Sequence, residues 1–200
     1  VIKNNGNEHK ITSSVLGEHM AENICGCFAM AKEIGIDTKI ILEAISGFKG
    51  IKRRLEKRYE GYITIYDDLA HSPAKAKATL KTLRLIYPDS KIFAIFEPNT
   101  GNRKSPSFPG YDNAFKDADK VIIPTLTKVK VDPNDLDIPI EGQKLAEIIS
   151  KTHKFAVHIE DDKKLMDYLK ENTKKEDIVV FLGSHGFRGM IETLSISPHR

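Results

Sequence analysis

The chain has 200 residues, 40% hydrophobic and 30% charged, enough for one good core or for one full domain and part of another. Its 31 basic residues face 28 acidic ones, a formal net charge of +3, so no polyanion footprint and no nucleic-acid partner is expected, with Lys52, Arg53 and Arg54 as the candidates for a local basic patch. No apolar run approaches a bilayer span and no signal-peptide pattern opens the chain, so neither membrane insertion nor secretion is expected; the first residue is Val, as in a piece of a longer chain.

Residues 1 to 15 alternate weakly and read as a hairpin or edge strand, with Asn5-Gly6 as the turn signal. From Gly17 the period changes. Ala21, Ile24, Cys25, Phe28 and Ala29 describe an amphipathic helix that ends at Gly35. Cys25 and Cys27 would point about 200° apart on that helix, so they should not bridge. A C-x-C pair without further Cys or clustered His is a poor zinc site. Both read as small buried residues of a reduced, cytoplasmic protein. Asp37 can cap a second helix with Ile40, Ile41, Ala44 and Ile45 on its inner face, ending at Gly47. Phe48 to Glu60 is polar and basic and reads as a linker.

After Gly61 strands and helices alternate. Strands are expected at 62–66, 91–96, 120–123, 155–159 and 177–182, and helices at 73–86, 111–118, 141–150 and 161–172, with a loop carrying Pro124, Pro133 and Pro139. Continuous apolar strands between amphipathic helices imply an α/β fold, a Rossmann-like, mostly parallel sheet with helices on both faces. The expected organisation is a helical remnant of one domain over 1–47, a linker over 48–60 and a complete domain over 61–200.

In open α/β sheets ligands bind outside the carboxyl ends of the strands, and the unusual polar clusters fall there. Asp67-Asp68-Leu69-Ala70-His71 follows the first strand, Glu97 to Lys104 the second, and Gly183-Ser184-His185-Gly186-Phe187 the last. Asp68 or Ser72 could simply cap the helix at Pro73, which explains one acid but not two acids and a histidine. The 97–104 stretch could be a solvated turn, and 183–187 a tight turn or an anion-binding helix start. No GxGxxG follows the first strand and no P-loop occurs, so a dinucleotide cofactor is not expected and phosphates are not held in the P-loop manner.

Three stretches in order resemble the Mur ligase family. "LGEHMAENICGCFAMAKEIGI" is similar to the G-x-H-N-x-x-N segment late in the central ATPase domain, "FKGIKRRLE" to the F-x-G-x-x-R-R-x-E linker, and "YDDLAHSPAKAKATL" to the D-D-Y-A-H-H-P motif that starts the C-terminal domain. Within the family, "YPDSKIFAIFEPNT" and "FLGSHGFRGM" resemble the branch that joins UDP-N-acetylmuramate to the murein tripeptide L-Ala-γ-D-Glu-meso-diaminopimelate, with the L-alanine-adding branch next. The resemblance implies ATP as phosphoryl donor, an acyl phosphate, and attack by the amine of an amino acid or peptide. His19 and Asn23 would contact the adenine side of ATP, with Met20 replacing the middle Asn of the motif. Arg54 would reach the nucleotide phosphates, assisted by Arg53. Asp68 would hold the nucleotide through its ribose, and His71 matches the first histidine of A-H-H-P. Asn99, Arg103 or Lys104, Ser184, His185 and Phe187 would line the pocket of the incoming substrate. Mg²⁺ ligands, the P-loop lysine and a UDP-binding domain are expected upstream of Val1, so the chain alone should be inactive. A stand-alone nucleotide- or phosphate-binding module is the alternative from another class.

Overall fold

The computed structural model describes residues 1–4, 6–128 and 136–196. The turn position Asn5 and the loop proline Pro133 lie outside them. The chain divides into two compact units, Val1–Lys52 and a second that begins at Arg53.

In the first unit, β1 (Ile2–Asn4) and β2 (Asn7–His9) pair antiparallel, followed by α1 (Glu18–Glu33) and α2 (Thr38–Gly47). Asp37 caps α2, its Oδ1 accepting from the Lys39 N–H at 2.8 Å. Phe28, Ile2 and Ile41 form a small core against which Ile24 and Ile45 pack. Met20, Ile24 and Phe28 recur every fourth residue, so α1 has one packed stripe. Cys25 and Cys27 lie off that stripe and are free and exposed, which corrects the expectation that they are buried.

The second unit is built on a six-stranded sheet. In chain order its strands are β3 (Glu56–Glu60), β4 (Thr64–Asp68), β5 (Ile92–Glu97), β6 (Lys120–Ile123), β7 (Ala156–His158) and β8 (Ile178–Gly183). Across the sheet they run β3-β4-β8-β5-β6-β7, all parallel except β3. The helices are α3 (Pro73–Ile86), α4 (Gly142–Ser150), α5 (Asp162–Asn172) and α6 (Met190–Ile196). This is the expected α/β class, with a mostly parallel sheet. Ile65, Phe93, Ile95, Val179 and Phe181 form one face, covered by Leu165 and Leu169 of α5 and by Met190 and Leu194 of α6. On the other, Phe96 meets Tyr111 and Phe115 edge-on, at centroid distances of 6.1 and 5.0 Å.

Four local expectations change. Glu56–Glu60 is a strand where a linker was expected: it pairs antiparallel with β4 at the sheet edge, and the charged side chains that masked it are what an edge strand carries. Residues 111–118 are not an α-helix. Short 3₁₀ turns over Thr100–Arg103 and Ser105–Tyr111 precede them, Pro106 and Pro109 removing donors an α-helix needs, and turns follow. Helix α6 was not anticipated. Finally, β4 runs on through Asp67 and Asp68, so the two acids are the strand's buried last residues and do not follow it.

Candidate functional site

The strand order β4-β8-β5 sets three carboxyl ends side by side, Asp68 opposite Leu182 and Gly183 opposite Glu97. The polar stretches that are scattered in sequence become neighbours at one edge. Two crossed ties hold them there: the Asn99 N–H donates to the His71 carbonyl at 3.3 Å, and the Leu69 N–H to the Arg53 carbonyl at 2.8 Å.

Asp67, 1% exposed, accepts from Arg53 Nε and from Arg58 Nη1, each at 3.2 Å, and Arg58 continues to Glu192 of α6 at 2.8 Å. Burial pushes the Asp67 carboxyl above the ordinary value of 3.8, against the lowering by the two guanidinium groups. Asp68 Oδ2 accepts from the Leu55 N–H at 2.8 Å. The two adjacent acids therefore divide the work: Asp67 takes cations, and Asp68 takes the backbone of the segment before β3.

That segment presents Arg54. Arg53 and Leu55 on either side have left-handed backbone, φ 58° and 48°, a conformation that side chains with a Cβ adopt at a cost of about 1–3 kcal/mol unless their surroundings hold them there. They are held: the Arg53 N–H donates to Glu56 Oε2 at 2.8 Å, and Leu55 is buried with its N–H on Asp68. Arg54 between them is exposed, with no hydrogen bond or ion pair among the described residues. A pinned backbone carrying an unengaged guanidinium is suited to receive an anion.

Arg53 does the opposite. Its guanidinium donates to the carbonyls of Gly183 at 2.8 Å, Ser184 at 3.0 Å and His185 at 2.7 Å, as well as to Asp67. The loop after β8 thus turns three successive carbonyls onto one cation. With Asp67 buried and the Arg53 side chain 26% exposed, losing one partner falls between the roughly 3–5 kcal/mol of a fully buried pair and the about 0–1 kcal/mol of an exposed pair such as Lys57–Glu60.

His71 is half-buried, and its Nδ1 lies 2.7 Å from the Leu69 carbonyl, which can only accept; Nδ1 is the donor and Nε2 carries the remaining lone pair. Ser72 and Pro73 start α3, the Ser72 Oγ accepting from the Lys75 N–H at 3.5 Å. Asn99 Oδ1 caps the turn after β5, accepting from the Asn102 N–H at 3.1 Å. Arg103 is 2% exposed. Its guanidinium bonds the carbonyls of Ile140 (2.9 Å) and Thr127 (3.0 Å) and the Glu141 carboxylate (3.1 Å), so the cation is committed to the loop that crosses it. Phe187 is 1% exposed and packs edge-on to Phe181 at 5.1 Å, which makes it core and not pocket wall. Ser184 and His185 stand at the surface, Ser184 Oγ 3.3 Å from His185 Nδ1. His19 and Asn23 belong to the helical unit. They are exposed one turn apart on α1, on one face, with Asn23 Nδ2 3.9 Å from Met20 Sδ.

Three residues of this edge carry no role in the sequence reading, although Glu97 and Gly183 stand in the polar stretches named there. Glu97 ends β5 at 1% exposure, its Oε1 accepting from the Thr127 N–H at 2.9 Å and hydroxyl at 2.6 Å, while His185 Nδ1 and Arg188 Nη1 stand 3.8 and 3.6 Å away. Its signal was present: a carboxylate continuing the buried run KIFAIF. Arg188, left-handed at φ 51°, forms a bidentate pair with Asp162 at 2.6 and 2.7 Å. Gly183 has no room for a side chain, since a Cβ there would stand 2.8 Å from the Glu97 carbonyl and 2.9 Å from the Phe187 ring. Neither had a local signal. Among the described residues no group of three or more His, Cys, Asp or Glu could hold a metal ion, and no helix is long and apolar enough to cross a membrane.

Comparison with known proteins bears on this edge directly. The family model "Mur ligase, glutamate ligase domain" matches residues 53–185. The UDP-N-acetylmuramate–L-alanine ligase of Caldanaerobacter subterraneus is 35% identical over 173 residues, which are 86% of this chain and 36% of that protein. Among solved structures, the UDP-N-acetylmuramate-alanine ligase of Thermotoga maritima superposes with a TM-score of 0.77 at 21% identity, over 96% of this chain and 40% of that one. The murein peptide ligase of Psychrobacter arcticus does so with 0.64 at 24% identity, over 92% and 38%. The chain therefore spans about two fifths of the length of the proteins it matches.

Proposed function

This chain belongs to the Mur ligase family, and on that premise we propose that it is the C-terminal part of an ATP-dependent ligase that joins UDP-N-acetylmuramate to L-alanine. The L-alanine reading was second to the tripeptide in the loop sequences. It moves first because curated relatives 30–35% identical to this chain are L-alanine ligases. The observation that carries the ligase reading is the Arg54 segment, an unengaged guanidinium fixed between two left-handed residues that the Asp67-Asp68 pair anchors.

The chemistry asked of the site is charge neutralisation and positioning. The muramoyl carboxylate takes the terminal phosphoryl group of ATP, giving an acyl phosphate and ADP. The amine of the incoming substrate attacks the acyl carbon, and phosphate leaves as the amide forms. Arg54 offsets charge on the phosphoryl oxygens. Asp68, whose Oδ2 accepts the Leu55 N–H, is assigned to the ribose hydroxyls. His71, fixed through Nδ1, offers Nε2 as an acceptor at the same edge. His19 and Asn23 are assigned to the adenine. Asn99, Ser184 and His185 are assigned to the amine substrate, whereas Arg103 is committed to Thr127, Ile140 and Glu141 and Phe187 packs on Phe181. Mg²⁺ that accompanies ATP finds no ligand cluster among the described residues, and no step here runs through it. The unpaired Cys25 and Cys27 suit a cytoplasmic setting.

A second reading keeps the murein tripeptide as the amine substrate, favoured by the stretches EPNT and GSHGF at the sheet edge. Phosphate release by the whole protein, given UDP-N-acetylmuramate and ATP, separates the two. Release that depends on L-alanine is expected, with none from residues 1–200 alone. Release with the tripeptide and not with L-alanine selects the second reading. No amine-dependent release with either overturns both.

A further inference from the structure

We propose that Arg53 is a positioning residue that holds the loop after β8 in the shape presenting Ser184 and His185 to the amine substrate, leaving the adjacent Arg54 to the nucleotide. The inference rests on the ligase reading and replaces the expectation that Arg53 assists Arg54 at the phosphates, since its guanidinium is engaged by Asp67 and three carbonyls.

The geometry separates the two arginines. One guanidinium collects the carbonyls of Gly183, Ser184 and His185 within 2.7–3.0 Å and also reaches Asp67. Three consecutive carbonyls converge on one point only where the backbone curls around it, so the curl of this loop depends on the cation. The arginine in turn is held by its backbone and by its Nε. Its N–H is on Glu56, its carbonyl takes the Leu69 N–H, and its Nε is on an acid that Arg58 also holds. At the loop's start Gly183 is wedged against the Glu97 carbonyl and the Phe187 ring, and at its end Phe187 is seated on Phe181. Between these two anchors the side chains of Ser184 and His185 meet each other at 3.3 Å, and His185 Nδ1 stands 3.8 Å from Glu97 Oε1. Those side-chain approaches, 3.3 and 3.8 Å, are longer than the three carbonyl bonds of 2.7–3.0 Å by which the Arg53 fork holds the backbone. A planar fork with five donors can serve carboxylate and carbonyls together, whereas an ammonium offers three donors from a single nitrogen.

The test is Arg53→Lys in the whole protein, with Arg54→Lys beside it. The lysine keeps a positive charge opposite Asp67 and loses the fork. Arg53→Lys is expected to raise KM for whichever amine supports phosphate release by about tenfold, with KM for ATP within about twofold of wild type. Arg54→Lys is expected to show the reverse split. An Arg53→Gln/Asp67→Asn double variant, which strands no buried charge, is expected to repeat the Arg53→Lys split. A lowered melting temperature with both KM values unchanged in these Arg53 variants reduces Arg53 to a structural pair and overturns the proposal, as does a rise in KM for ATP equal to that for the amine. If the wild-type protein shows no amine-dependent release, the ligase reading has failed, and hydrogen exchange of peptides covering 183–189 decides the clamp by itself. Faster exchange there in Arg53→Lys, with β4 protected as in wild type, supports the clamp; unchanged exchange overturns it.

Discussion

At the scale of single residues, the site turns on what adjacent like residues do differently. Asp67 and Asp68 look interchangeable in sequence, as do Arg53 and Arg54. Strand pleating sends neighbouring side chains to opposite faces, so Asp67 meets the guanidinium groups and Asp68 meets a backbone amide. The raised Asp67 pKa has a consequence for stability. Above the ordinary value of 3.8 the folded protein holds a proton that the unfolded chain has released. The Asp67 contribution is therefore fully present below that value and is lost as pH rises through the higher folded one. Urea unfolding of wild type and Asp67→Asn across a pH series should show the wild-type stability relative to the variant falling as pH rises from 3.8 through the higher folded value and then levelling. A relative stability that climbs with pH over that window would mean that the two arginines, and not burial, govern this acid.

At the scale of elements, the site depends on the contact between β5 and β8. Both strands are buried at every position, and their register sets Gly183 against Glu97. A glycine here answers a steric demand: its backbone is ordinary, but a Cβ would press on a strand carbonyl and on a core ring, neither of which is the free end of a flexible chain. Gly183→Ala should cost about 1–3 kcal/mol, the range of overpacked sites, read from the denaturation midpoint at unchanged m. An alanine as stable as wild type would show that the loop after β8 can back away, which would also weaken the case that it is held rigidly. Strand β3 shows the complementary lesson. Its residues Glu56, Lys57 and Arg58 carry no apolar alternation, yet they form a strand because β4 offers an open edge to pair with.

At the scale of the molecule, the unit beginning at Arg53 contains its own core, with Ile65, Phe93, Ile95 and Phe181 closed over by α5 and α6. It also contains both partners of every ion pair described for the β4 edge. Residues 53–196 made alone should therefore fold, with a cooperative urea transition and native-like near-ultraviolet circular dichroism. A non-cooperative transition with near-ultraviolet signal absent would show that this core needs residues outside it. The helical unit is closed by a much smaller core of Phe28, Ile2 and Ile41, and Met30 and Ile40 of its helices and Ile34 at the end of α1 are exposed.

What the sequence by itself determined was class and neighbourhood. Runs such as KIFAIF and DIVVFL read as buried parallel strands, the glycines and capping residues bounded the helices, and the rule that ligands sit at carboxyl strand ends singled out polar stretches that the sheet order makes neighbours. The family followed from three ordered motifs. What only the tertiary structure decided was which polar residue at that edge is free and which is engaged. Arg103, Arg53 and Arg54 are equally cationic in sequence, but two are captured by carbonyls contributed from 24 to 132 residues away, and one is not. A side chain's availability is set by the acceptors that folding brings to it, and those come from strands remote in the chain. Periodicity and local spacing cannot report them.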